Sequence, residues 1–346
     1  VGTTTEFTDQ GERRKRPHIP AGQPIPLTKN PIVRLAYRGN DHESLLALLS
    51  KGGRLLVVRI AADDVAGQHP IITELPQPRG AVTALALDAL LENLYVGTAD
   101  GQVVHVALSE TESPEMRAAY TVAASSTAVT TLGFLSGDRS LVVMTADGAV
   151  STWGLVRRAD APSGWTLIQI HTLRAHNAPV TAFAPSQRVK GFVTGDMKGN
   201  LFLHHATSSQ TLLRLANSEF PIRAVAFAPK GDGLIALDGA GQLSLYQVQN
   251  AYPEVTLETL FGKVWYEGYE QPAHVWQSSS GSDDVEPKLG LLPLAFGTLK
   301  GTMYALFLAV PIAILAAMCT SQFMHQDLRA KIKPIIEVMA ALPTVV

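Results

Sequence analysis

One pattern limits this chain more than any other: a unit of some 40 to 50 residues recurs five times before residue 260. Each unit opens on a short apolar run. These runs are Ile32–Tyr37, Val82–Leu87, Val129–Phe134, Val180–Pro185 and Ile222–Phe227, with starts 50, 47, 51 and 42 residues apart. About 20 residues further on, a glycine turn introduces a second run: Gly53–Val58, Gly101–Val106, Gly148–Trp153, Gly199–His204 and Gly241–Tyr246. Between the two lies another, such as Leu94–Thr98, Ser140–Met144 or Gly191–Thr194, and the Asp100-Gly101 and Asp147-Gly148 pairs favour tight hairpins. A last run closes the unit at Ile71–Leu75, Ala118–Val122, Trp165–Ile170, Leu212–Leu215 and Val255–Glu258. Four antiparallel strands in so short a stretch make one blade of a propeller, so the spacing predicts an all-β propeller over residues 1–260. Small residues dominate the first run, as packing near a crowded axis demands. The last run is more polar and suits an outer edge.

The repeats resemble WD40-like propellers, most clearly at Arg174-Ala175-His176-Asn177-Ala178-Pro179-Val180 and the strand that follows. In that family a histidine ahead of the first strand joins a hydrogen-bond network with an aspartate and a tryptophan. Here His176 and Trp153 stand at comparable places, so the resemblance implies a structural role for His176, not a catalytic one. His204-His205 has no Cys, Asp or Glu at ligand spacing, and no metal or other cofactor is expected. Val1–Phe7 falls in register as the third strand of an earlier blade, with Ile25-Pro26-Leu27 as its outer strand. The chain therefore reads as a fragment that begins inside a blade, with at least one further blade expected before Val1. The basic run Arg13-Arg14-Lys15-Arg16 is read as a solvated loop or strand.

The repeat stops near Ala251, and the chemistry changes. Gly301–Met324 carries no formal charge across 24 residues. As a helix rising 1.5 Å per residue it reaches about 36 Å, enough to cross a hydrocarbon core of about 30 Å with some tilt. Pro311 in its middle is tolerated where neighbouring helices satisfy the freed carbonyl, so a partner helix is implied. The remaining chain divides into a linker and membrane-edge segment over 261–300, with Trp265, Tyr266 and Trp276 as interfacial aromatics, and residues 325–346 beyond the span. Lys333-Pro334 starts a new apolar helix, which Pro343 interrupts. Arg329, Lys331 and Lys333 outweigh Lys288 and Lys300, which places the C-terminal side in the cytoplasm and residues 1–300 outside. The only cysteine, Cys319, lies inside the span, and a net charge of −2 gives no ground for binding nucleic acid.

The last 90 residues resemble the permease subunits of phosphate-uptake ABC transporters, the PstC type more than its sister subunit. The resemblance is carried by Leu260-Phe261-Gly262 with Trp265, then Gly290–Leu299, the span, and Arg329–Val346, with Ala341 and Thr344 where the family usually has Gly and Ser. It covers about a quarter of the chain and leaves the substrate-contacting residues unknown. It implies a multi-pass protein of the bacterial inner membrane, with membrane lipid around it and the propeller inserted in an external connection. The implied partners are a second permease subunit, a pair of cytoplasmic ATPase subunits and a periplasmic phosphate-binding protein. No catalytic residue is expected, and the chain has no G-x-x-x-x-G-K-[ST] loop. The propeller would then be an extracytoplasmic docking or sensing platform. The rival class is a membrane-anchored propeller scaffold unrelated to transport, and a propeller enzyme comes third.

Overall fold

The computed structural model describes residues 2–7, 13–18, 27, 29–61, 70–108, 114–124, 127–159, 161, 164–216, 218–250, 252–277 and 285–341. The repeat unit folds as expected. Blade 1 consists of β3 (Ile32–Gly39), β4 (Glu43–Ser50), β5 (Leu55–Ala61) and β6 (Ile71–Glu74), each strand antiparallel to the next. Blade 2 holds β7 (Val82–Leu87), β8 (Asn93–Thr98), β9 (Gln102–Ala107) and β10 (Glu115–Thr121). Blade 3 holds β11 (Val129–Phe134), β12 (Ser140–Thr145), β13 (Val150–Arg157) and β14 (Trp165–Leu173). Blade 4 holds β15 (Val180–Pro185), β16 (Gly191–Asp196), β17 (Asn200–His205) and β18 (Gln210–Ala216). Blade 5 has only three strands, β19 (Ile222–Phe227), β20 (Gly233–Asp238) and β21 (Leu243–Gln247).

Apolar burial explains why the units stack. In the inner blades the second and third strands are flanked by blades on both faces, and β12 and β16 are buried along their whole length. Four of the cores are each shared by two neighbouring blades. Val129, Leu141 and Trp153 of blade 3, for example, close on Ala84, Tyr95 and Val103 of blade 2. The first strands lie side by side in chain order, and here the spacing is tight enough to select glycine. A Cβ on Gly97 of β8 would come within 2.7 Å of Val129, and one on Gly195 of β16 within 2.5 Å of Ile222.

One local feature recurs in all five blades. The ladder between first and second strands slips by one residue after Ile32, Val82, Val129, Val180 and Ile222, which leaves Val33, Thr83, Thr130, Thr181 and Arg223 unpaired in a bulge. A bulge re-aims the side chain it carries. Thr83 uses this to donate to the carbonyl of Val129 (2.5 Å), and Thr181 to that of Ile222 (2.6 Å), so each hydroxyl ties its blade to the next.

No closed ring forms among the described residues, and the end strands β3 and β21 carry exposed apolar residues, although on blade 1 the outer-face residues Leu48, Leu56 and Val58 are buried with Leu27 packed against them. On β3, Leu35 and Tyr37 are 59% and 60% exposed, and on β21 Leu243 and Leu245 are 56% and 70% exposed. The N-terminal residues form a hairpin of β1 (Gly2–Phe7) and β2 (Arg13–His18). This corrects the expected outer strand: β1 pairs with the basic run, Leu27 is not in a strand, and Ile25 and Pro26 lie outside the described residues. Polar side chains at Arg13–Arg16 do not prevent a strand, because a two-stranded ribbon needs only backbone pairing.

Beyond blade 5 the expected fourth strand Val255–Glu258 does not form. Thr256 instead caps a short helix, α1 (Leu257–Phe261), with its hydroxyl accepting from the Thr259 amide while Thr259 bonds back to the Thr256 amide. A two-stranded ribbon, β22 (Trp276–Gln277) with β23 (Lys288–Leu289), follows. Tyr266, expected at a membrane interface, is 1% exposed and forms the centre of this collar. The long helix α2 (Leu292–Met318) begins inside the segment expected to be linker and continues as a π-helical turn, Cys319–Phe323. A second helix, α3 (Gln326–Ala341), follows directly and takes Pro334 into its interior, ahead of which the sequence had suggested its start.

Candidate functional site

Blade 4 contains a buried chain of polar groups running from its first turn to its outer strand. His176 and Asp196 are fully buried, with Nδ1 3.0 Å from Oδ2, so that nitrogen donates to the carboxylate. Nε2 is then the acceptor for Thr194 Oγ1 (2.7 Å); Thr194 accepts from His204 Nε2 (3.0 Å), and Thr211 donates to His204 Nδ1 (2.9 Å). Every group is satisfied with both imidazoles neutral. Burial pushes His204 down to about 3, and it lowers His176 too, where Asp196 opposes it. The other Asp196 oxygen accepts from the amides of Lys198 and Asn200, which fixes the hairpin around Gly199. The histidine is therefore a structural member of the blade. Its network differs from the expected one: Trp153 donates to Ser151 of its own strand (2.8 Å), and His204 occupies the outer place. The aspartate was legible after all, since Asp196 and Asp238 stand 42 residues apart, each three residues before a turn glycine, and Asp238 holds the Ala240 and Gln242 amides in the same way.

The second cluster joins the collar to blades 3 and 4. Glu267 receives Ser140 Oγ from the start of β12 (2.7 Å) and Lys190 Nζ from the turn before β16 (2.8 Å). Lys190 also donates to the carbonyl of Ser136. Glu286 accepts the Thr207 hydroxyl and, through its other oxygen, the Glu267 amide (2.8 Å). Lys190, Glu267 and Glu286 are 2%, 7% and 6% exposed. Burial, then the charge of Glu267, pushes Glu286 up to about 7. Ser208 adds a bond to the carbonyl of Pro253 (3.2 Å), and the Leu291 amide donates to Leu260 (2.7 Å) where α2 begins. No part of this cluster was foreseen. A buried Glu next to a Ser- and Asp-rich stretch has no local signature.

Concave regions lie beside both clusters. An apolar groove of about 660 Å³ runs between the outer strands of blade 4 and the unpaired edge of β21, floored by Leu203, Leu213, Leu215 and Tyr246. A smaller polar cavity of about 170 Å³ lies under the collar, lined by His171, Ser209, Lys263 and Trp265 among others. Among the described residues, no group of three or more His, Cys, Asp or Glu side chains is placed to hold a metal ion.

Helix α2 with its π turn spans Leu292–Phe323, long and apolar enough to cross a membrane, and none of it is buried. The consecutive residues Leu306, Phe307 and Leu308 point about 100° apart round the helix, and all three remain open. Such all-round hydrophobicity is stable only in lipid or among other apolar helices. At its far end Arg329 of α3 donates to the carbonyls of Thr320 (2.8 Å) and Ser321, which satisfies the acceptors freed by the turn.

No protein-family model matches the chain, and no curated protein is similar to it. Solved structures are similar at the level of the blades. The Cps50 (Swd1) β-propeller domain from Myceliophteria thermophila shares 17% identity over 61% of this chain and 68% of its own, with a TM-score of 0.49. A chain of the mitotic checkpoint complex shares 18% identity over 62% of this chain and 63% of its own, TM-score 0.47; the computationally designed Ika4 protein shares 20% over 51% and 96%, TM-score 0.41. What defines the class is the chain's own geometry: WD40-like propeller blades followed by one helix of membrane-spanning length and apolarity.

Proposed function

We propose that this protein is the permease subunit of an ABC importer for inorganic phosphate, with its blades forming an extracytoplasmic docking or sensing domain. The observation that carries the reading is the order of elements after the blades. Leu260-Phe261-Gly262 sits at the collar, Gly290–Leu299 runs into the first turns of α2, and Arg329 to Pro334 lie on the helix that follows, in the sequence order of the phosphate permeases. Transport would need a second permease subunit to line the pore and cytoplasmic ATPase subunits to drive it, so hydrolysis belongs to partners. The blades would then face the periplasmic phosphate-binding protein before the pore does.

The uptake of radiolabelled phosphate tests this. Cells expressing a chain with blades 1 to 5 removed and the helices kept should take up phosphate more slowly than wild type when the delivery protein is limiting. Uptake equal to wild type would leave the blades with some other partner, and absence of any phosphate dependence on the full chain would remove the transport reading. A membrane-anchored scaffold is the second reading, favoured by the presence of one membrane-length helix among the described residues. It predicts unchanged uptake in both cases.

A further inference from the structure

The cluster under the collar contains two buried carboxylates and one buried ammonium. Lys190 pairs with Glu267 at 2.8 Å. Glu286 has a hydroxyl and an amide as its partners, and neither carries charge. With both acids ionised the pocket would hold a net negative charge away from water, which is costly unless a proton is taken up. The Thr207 hydroxyl can reverse its role and accept from a protonated Glu286, so a proton fits without any loss of hydrogen bonds.

We propose that the collar docks onto blades 3 and 4 with one proton held on the Glu267–Glu286 pair, so that the join between propeller and long helix loosens when that proton is lost. The join is mechanical as well as electrostatic. The same collar carries α1, whose Leu260 carbonyl receives the Leu291 amide at the start of α2, so undocking would free the helix from the blades. If the blades face outward, as proposed above, the proton comes from the surroundings; the docking claim itself does not depend on that.

Other titrating groups surround the joint. Lys190 approaches from blade 4, with Asp138 of blade 3 near it, and Tyr266 and Lys288 approach from the collar itself. His171 of β14 faces Glu258 and Lys263 across the small cavity, His205 of β17 meets Ser208 of its wall at 3.0 Å, and burial pushes both histidines down to about 4. Their sign is opposite to that of Glu286. A docked state that raises a carboxylate is favoured at low pH and loses that advantage as pH rises to about 7, whereas a docked state that keeps histidine neutral is weakened as pH falls below about 6.5. The comparison that isolates the proton therefore keeps the histidines and changes only the acid.

Hydrogen exchange of the Glu267 and Gly290 amides in the full chain reports docking locally. The ratio of protection in wild type to that in Glu286→Gln should fall about tenfold between pH 6 and pH 8, because the variant cannot ionise and the intrinsic exchange rates cancel. Glu267→Gln should remove the same pH dependence, since one carboxylate is then left opposite Lys190. If either variant does not fold, the other decides the matter. If neither folds, the carboxyl carbon shift of Glu286 in labelled wild-type protein does so, by showing a protonated acid at pH 6. A ratio that stays constant across this range, or an ionised Glu286 at pH 6, overturns the proposal.

Discussion

At the scale of single residues, the chain solves a recurring problem: how to place polar groups between apolar sheets. Blade 4 does it with a directed chain in which each donor meets one acceptor, Thr211 to His204 to Thr194 to His176 to Asp196. Blade 2 does it with His105, whose Nε2 meets Asn93 at 2.7 Å while its ring stacks on Tyr95. These imidazoles are neutral because burial disfavours their charged form, to about 4 for His105 and about 3 for His204. A depressed histidine contributes stability above the ordinary histidine range that is lost as pH falls from about 6.5 towards the folded value. The purified protein should therefore lose thermal stability between pH 6.5 and pH 4, and a His204→Phe variant should lose less of it over that range. A variant with the same acid sensitivity as wild type would show that the blade 4 chain is not where the protons enter.

Elements show how much of this was legible. The phase of apolar runs located the first strands of all five blades, and for blades 2 to 5 their observed limits match the expected ones, because a slip of one residue would turn the buried side chains out of the inter-blade core. Where neighbours are missing, sequence reasoning lost its hold. Val255–Glu258 has the alternation of a strand, yet Thr256 and Thr259 satisfy one another in a capping box, and local hydrogen bonding wins at an edge that no further blade covers. The bulge threonines were visible as the repeated Val-Thr pairs at 82, 129 and 180, although the bonds of Thr83 and Thr181 to the next blade were not. The Glu267–Glu286 pair was invisible, since it exists only once two residues 19 positions apart meet beside blades 3 and 4. For α2 the expectation concerns its surroundings. Ala313→Arg near the middle of the apolar stretch should cost about 2.5 to 3.5 kcal/mol of insertion free energy. A glycosylation-mapping assay in which the variant inserts as well as wild type would mean that this helix is covered by protein and not by lipid.

In the whole molecule, a collar bonded to both joins a row of propeller blades to a helix of membrane-spanning length. The exposed apolar residues of the end strands, Leu35 and Tyr37 on β3 and Leu243 and Leu245 on β21, are of the kind buried between blades 1 to 5. The collar fixes which end of the blades meets the helix. The side of the membrane on which the blades sit is the central claim, and one residue tests it. Ala240 is exposed in the hairpin between β20 and β21, and Cys319, the only native cysteine, can be replaced by serine to give a silent background. In intact cells, a Cys319→Ser, Ala240→Cys chain should react with a membrane-impermeant maleimide as fast as it does after lysis. Labelling only after lysis would put the blades in the cytoplasm and contradict the account.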